Sequence, residues 1–126
     1  MPTRECVKNF VAVVCEGRFV EAIAGFYAPE ASMQENQGEI RHGRDALIAQ
    51  EKAFLGMVSG IVVKRAGPVL IDGDSVAINW LFEISLADGG RRHLDEVALQ
   101  TWEGDRIVAE RFYYDPAQRE TAIAEG

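Results

Sequence analysis

Two cysteines and two histidines in 126 residues remove several chemistries at once. Cys6 and Cys15 lie nine residues apart in one helical stretch, so at about 100° per residue they point to opposite sides and cannot bridge each other. There is no CxxC motif, and His42 and His93 stand far apart without HxxH or HxxE company, so no metal site is expected. The glycines are scattered among turns with neither a GxGxxG nor a Walker pattern, and no cofactor is implied. Apolar runs fall far short of the ~18 residues that a membrane helix needs. The opening MPTRECVKNF lacks the basic and apolar regions of a secretory signal. The expectation is a cytoplasmic protein with reduced thiols and no membrane partner. Positive charge is also short: 13 Lys and Arg face 20 Asp and Glu, a net charge of −7 that repels phosphate backbones, so no nucleic-acid partner is expected. Lys64-Arg65 and Arg91-Arg92 are short, separate basic pairs that read as solvated strand and turn positions.

No Ser/Pro-rich linker, internal repeat or shift in composition divides the chain, which predicts one domain over residues 1–126. That length buries about two-thirds of the unfolded surface. Thr3 is placed to cap a first helix in which Cys6, Phe10, Val13 and Val14 recur at helical spacing, and Gly17 ends it. A second helical run from Phe19 to Tyr27 stops because Pro29 pushes Ala28 out of the helical region. A third, from about Arg44 to Leu55, carries Leu47, Ile48, Phe54 and Leu55 on its apolar side.

After Gly60 the period changes from 3.6 to 2. Residues 61–65 and 69–71 read as one strand bent at Gly67-Pro68. Asp72-Gly73-Asp74 then turns the chain into a strand over residues 75–87. One face of that strand is Val76, Ile78, Trp80, Phe82, Ile84 and Leu86, a buried face by composition. Asp88-Gly89-Gly90 leads to a strand over residues 91–102, and Glu103-Gly104-Asp105-Arg106 to a last strand over residues 107–115. Helices first and long antiparallel strands second define an α+β protein.

Several stretches resemble a known family when taken in order: Tyr27-Ala28-x-x-Ala31, the short strand to Ile40, the helix start from Gly43 to Ala46, Trp102-x-Gly-x-Arg-Ile107, and the closing Glu110-Arg-Phe-Tyr-Tyr-Asp115. Together they resemble the SnoaL-like branch of the nuclear transport factor two-like superfamily, which includes ketosteroid isomerases and polyketide cyclases. The resemblance implies a cone-shaped α+β barrel, with three N-terminal helices packed on a strongly curved, mostly antiparallel sheet. It also implies an apolar pocket for a small-molecule ligand and a homodimer through the outer sheet face. Function varies widely on this fold.

In the ketosteroid isomerases a carboxylate eight residues after the tyrosine moves a proton between carbons, and that count lands on Glu35. The two hydrogen-bond donors of that enzyme align with Phe10 and Ala98, neither of which can donate, and the acid/base aspartate of the cyclases aligns with Phe112. The Asp-Arg-Asp arrangement of the epoxide hydrolases has no clear match here. If Ala98 faces the pocket, alternation places Glu96, Gln100 and Trp102 on the same side. Glu35 and Glu96 are therefore the candidate catalytic residues, and Phe10, Trp80, Ala98, Gln100, Trp102, Phe112 and Tyr114 the candidate ligand contacts. The bland alternative pairs Glu96 with Arg111 and leaves Trp102 as plain core. On the last strand a two-residue turn turns Tyr113 and Arg111 inward, whereas the resemblance favours Tyr114, Phe112 and Glu110. His42 either pairs with Glu35 or lies in solvent. Two functions follow: an acid/base enzyme (isomerase, cyclase, dehydratase or hydrolase) acting on an apolar or carbonyl compound, or a non-catalytic binding or dimerisation module.

Overall fold

The computed structural model describes residues 1–119. Helix α1 (Arg4–Cys15) begins where the Thr3 side chain accepts a hydrogen bond from the Cys6 N–H at 3.0 Å, satisfying one of the free donors of the first turn. It buries Val7, Phe10 and Val14, and the chain leaves it through Gly17 at φ +79°. Helix α2 (Phe19–Phe26) buries Ala22 and Ile23. It was expected to include Tyr27, but Tyr27 is extended, with φ −96° and ψ 142°. Two effects converge there. Pro29 restricts the residue before it, and Tyr27 pairs with Ile107 as the first residue of strand β1 (Tyr27–Glu35).

The short β2 (Arg41–His42) folds back on β1, and Gly43 at φ +97° opens helix α3 (Arg44–Leu55). Then come β3 (Val58–Arg65), β4 (Leu70–Asp72), β5 (Ser75–Leu86), β6 (Arg91–Glu103) and β7 (Arg106–Tyr113), followed by a 3-10 turn at Pro116–Arg119. The expected single bent strand is two strands, because Gly67 takes φ +74° and Pro68 has no N–H for the ladder. Both pieces still pair with β5, Arg65 against Trp80 and Leu70 against Ala77. The sheet runs β2-β1-β7-β6-β5-β3, antiparallel throughout except for the parallel pair β1 and β7.

This curled, unclosed sheet wraps three helices into a cone, the α+β architecture that the resemblance implied. The inward side chains of β5 alternate as read from sequence: Val76, Ile78, Trp80, Ile84 and Leu86 are buried and Phe82 is partly so. Phe10 of α1 drops into the cone edge-on to Trp102, with ring centroids 6.0 Å apart, and packs against Phe26 at 5.4 Å. Among the described residues no helix is long and apolar enough to cross a membrane.

The hairpin between β6 and β7 combines both devices considered above. Glu103 pairs with Arg106 across a two-residue turn with Gly104 at φ +57°, and a shift between Thr101 and Trp102 then makes Val108 an extra residue in β7. That bulge moves every later residue of β7 to the opposite face. Glu110 and Phe112 turn inward and Tyr113 outward, 41% exposed, with the Arg111 guanidinium 4.6 Å over its ring.

Candidate acid/base site in the cone

The open end of the cone holds a cavity of about 470 Å³. Its walls are mainly apolar: Phe10, Phe19 and Ile23 from the first two helices, Phe54 and Met57 from α3 and the turn after it, and Trp80, Phe82, Ile84 and Phe112 from the sheet. Among these stand four carboxyl groups, Glu35, Glu51, Glu96 and Glu110, and three arginines, Arg41, Arg92 and Arg119.

Glu110 is fixed from two sides. The bulge in β7 aims it inward, the Tyr27 hydroxyl donates to Oε1, and the Gln100 amide donates to Oε2 at 2.7 Å. Gln100 in turn accepts from the Trp102 indole N–H at 3.0 Å. This chain is fully internal, with Gln100 and Trp102 at 0% exposure, so each polar atom in it must find a protein partner. Burial pushes the Glu110 carboxyl up to about 7, against the pull of its two donors. The Tyr27 hydroxyl is raised well above its ordinary value, first by burial and then by the Glu110 charge.

Glu96 sits on β6 opposite Trp80 and is 7% exposed. No side chain among the described residues hydrogen-bonds its carboxyl. Burial, reinforced by the negative charges of Glu110 and Glu35, pushes it up to about 8, although Arg119 pulls the other way. Near neutral pH it is therefore a protonated acid facing an apolar space. Arg111, its alternative partner, donates instead to the Asn36 carbonyl at 2.7 Å.

Glu35 lies on the rim, with its side chain 34% exposed and well supplied with partners. Tyr114 donates to it at 2.8 Å, and Arg119 and Arg41 make ion pairs at 2.6 and 3.4 Å. Asn36, in the left-handed region at φ +51°, organises this corner: its N–H bonds the Phe112 carbonyl at 2.7 Å and its side chain accepts from the Tyr114 N–H at 2.9 Å. His42 is exposed on β2, and Arg41 is the residue of that strand that reaches Glu35. Gln118 holds the closing turn against β6 by accepting from the Asp95 N–H at 2.7 Å, which sets Arg119 over the mouth.

Of the residues read from sequence, Phe10, Trp80, Phe112, Glu35 and Glu96 line the cavity. Ala98, Gln100 and Trp102 share the inward face of β6 but lie deeper, fully buried beneath the wall. Tyr114 stands on the rim as the donor to Glu35. Tyr27 is a polar group of the site that helical spacing hides, because the pattern from Phe19 continues through it while its extended backbone belongs to β1. The basic pair Arg91-Arg92 reads as solvated from sequence. Alternation backward from Glu96 was the available signal, since it turns Arg92 inward, and the structure has it partly buried in the cavity wall.

A cone of three helices in a curled sheet, enclosing an apolar cavity with buried carboxyl groups, is the fold of the nuclear transport factor two-like and ketosteroid isomerase-like structures. The chain belongs to the SnoaL-like domain family, whose match spans residues 7–110. No curated protein matches the sequence. Among solved structures it is similar to a candidate SnoaL-like polyketide cyclase from Mesorhizobium loti, at 29% identity and TM-score 0.74 over 87% of this chain and 97% of that one. It shares its fold with a hypothetical protein of ketosteroid isomerase-like fold from Catenulispora acidiphila, solved with trimethylamine, at 18% identity and TM-score 0.75 over 92% of this chain and 89% of that one. An epoxide hydrolase from M. tuberculosis is similar at 15% identity and TM-score 0.73, over 90% of this chain and 83% of that one.

Proposed function

We propose that the protein binds a small, largely apolar carbonyl compound in the cone and moves protons on it, with Glu96 as the acid and Glu110 as the base. The observation that carries this reading is Glu96, a buried carboxyl facing the cavity with its proton affinity raised to about 8. Glu110 accepts a proton from the carbon between the carbonyl and a neighbouring double bond while Glu96 donates to the carbonyl oxygen, giving a dienol; Glu110 then returns its proton to the far carbon of the dienol as the hydroxyl gives its proton back to Glu96, which completes an isomerisation and restores both carboxyl groups. Two carboxyl groups held near 8 and near 7 suit a donor and an acceptor at neutral pH. Tyr27 and Gln100 orient the Glu110 carboxyl and leave it lone pairs for the substrate. Glu35 enters as the rim carboxylate whose charge raises the proton affinity of Glu96.

The test is turnover of small ketones, enones and lactones by wild type, Glu96→Gln and Glu110→Gln. An acid or base role predicts losses of at least about a hundredfold in kcat with binding kept. Ligand binding without turnover establishes the second reading, a binding module, and turnover untouched by both substitutions removes Glu96 and Glu110 from the reaction. That reading draws support from the ion-paired state of Glu35 and from Phe10 and Ala98, which offer no donors.

The same proposal includes a homodimer through the outer sheet face. Val97 and Leu99 of β6 and Tyr113 of β7 are each about 40% exposed there, with Val62 of β3 more so at 61%. Val97 is paired with Tyr113 and shares the outer face of β6 with Leu99, so these three form the apolar patch for a second copy to cover, while Val62 lies apart beside Glu83.

A further inference from the structure

Arg92 is the one cavity arginine whose task the acid/base scheme leaves unexplained. Arg41 and Arg119 are both spent on Glu35. Arg92 lies on β6 opposite Ile84, four residues before Glu96 on the same inward face. Its Nε is wholly buried and has no hydrogen-bond partner, and among the described residues no carboxylate pairs with its guanidinium. Its side chain lines the cavity beside Ile84 and Ile61, which are paired on adjoining strands. The side chain as a whole is half-buried, so one N–H of a permanently charged group has lost water without gaining a partner while the rest of the fork stays open to the cavity. Its fork of N–H donors matches a carboxylate.

We propose that the ligand of the cone carries a carboxylate and that Arg92 is the residue that receives it. The inference rests on the reading of the cone as a ligand pocket and adds the chemical class of the ligand: a carboxylate at one end, an apolar body, and a carbonyl toward Glu96. Four residues of strand separate Arg92 and Glu96, on the order of 13 Å between their Cα atoms. The two side chains therefore address opposite ends of one molecule. Phe82 and Ile84 on the neighbouring strand and Phe54 across the cavity provide the apolar contact between those ends. The other charged groups around the cavity do not forbid an anion. Near neutral pH Glu96 holds its proton, Glu110 is divided between its two forms, Glu35 is flanked by two arginines, and burial favours the neutral form of Glu51.

The experiment compares ω-cyclohexyl alkanoates of four to eight carbons with their primary amides, titrated at pH 7 into the full chain by calorimetry. The amide has the shape of the acid without its charge. Wild type is expected to bind the best acid at least about tenfold more tightly than its amide, Arg92→Gln to lose that preference while keeping amide affinity within about twofold, and Arg92→Lys to restore part of it. Equal affinity of wild type for acid and amide overturns the inference and leaves the pocket reading standing. So does a preference that survives Arg92→Gln. Failure of every acid and every amide to bind overturns the pocket reading and the inference together. Thermal melts of the variants confirm that the compared proteins are folded.

Discussion

The stability of this protein should fall as pH rises through neutrality, and Glu96 should be the main cause. In the unfolded chain its carboxyl titrates near its ordinary 4.5, whereas in the cone it holds its proton up to about 8. Between those values the folded state binds more protons than the unfolded state. The raised affinity therefore contributes stability that is full below about pH 4.5 and is lost as pH climbs toward 8. At 1.36 kcal/mol per pH unit, the gap between 4.5 and about 8 corresponds to a loss of up to about 5 kcal/mol. Glu110 acts in the same direction between 4.5 and about 7, and because each charge raises the other's cost the two contributions do not add independently. Set against a typical domain stability of about 5–15 kcal/mol, the effect is large. Glu96→Gln keeps the volume and removes the titration. Urea unfolding followed through Trp80 and Trp102, both buried, at half-unit steps from pH 5 to 8.5 measures the slope. The expected result is a wild-type midpoint that drops across this range and a flatter curve for the variant, with the variant the more stable protein at pH 8. A wild-type curve that is level or rises, or a slope that Glu96→Gln leaves unchanged, would refute the argument.

The internal chain from Trp102 through Gln100 to Glu110 predicts that Gln100→Leu, which strands the indole N–H and one carboxyl oxygen, costs about 2–4 kcal/mol by urea midpoint at pH 6. The same change should raise the Glu110 titration above about 7 in carbon-detected NMR, because it deletes a donor to the carboxylate; an unmoved titration would show that Gln100 does not hold Glu110. The outer-face patch predicts a light-scattering mass twice the 13.9 kDa of the chain at tens of micromolar, reduced to one copy by Leu99→Asp. A wild-type mass of one copy removes the dimer.

Local chemistry was legible in this chain. Thr3, Gly17 and Gly43 mark helix ends through caps and positive φ, and the Val76 to Leu86 alternation declares its buried face because side chains on a strand repeat every two residues. The family resemblance turns Ala98 toward the pocket, alternation from it brings Glu96 to the same side, and Glu96 lies in the cavity wall. Tertiary structure decided whatever depends on long-range pairing. Tyr27 left its helix for Ile107, eighty residues away, and became the donor to Glu110. A single extra residue at Val108 chose Glu110 and Phe112 over Arg111 and Tyr113 for the interior, a choice with no local marker, because bulge and plain ladder differ only in how distant strands meet. The partners of Glu35 arrive from β2, from the end of β7 and from the closing turn, three places that only the folded sheet brings to one rim. Sequence determines which groups a strand can present; the closing of the sheet around the helices determines which of them lose water, and that loss of water sets the proton affinities of Glu96 and Glu110.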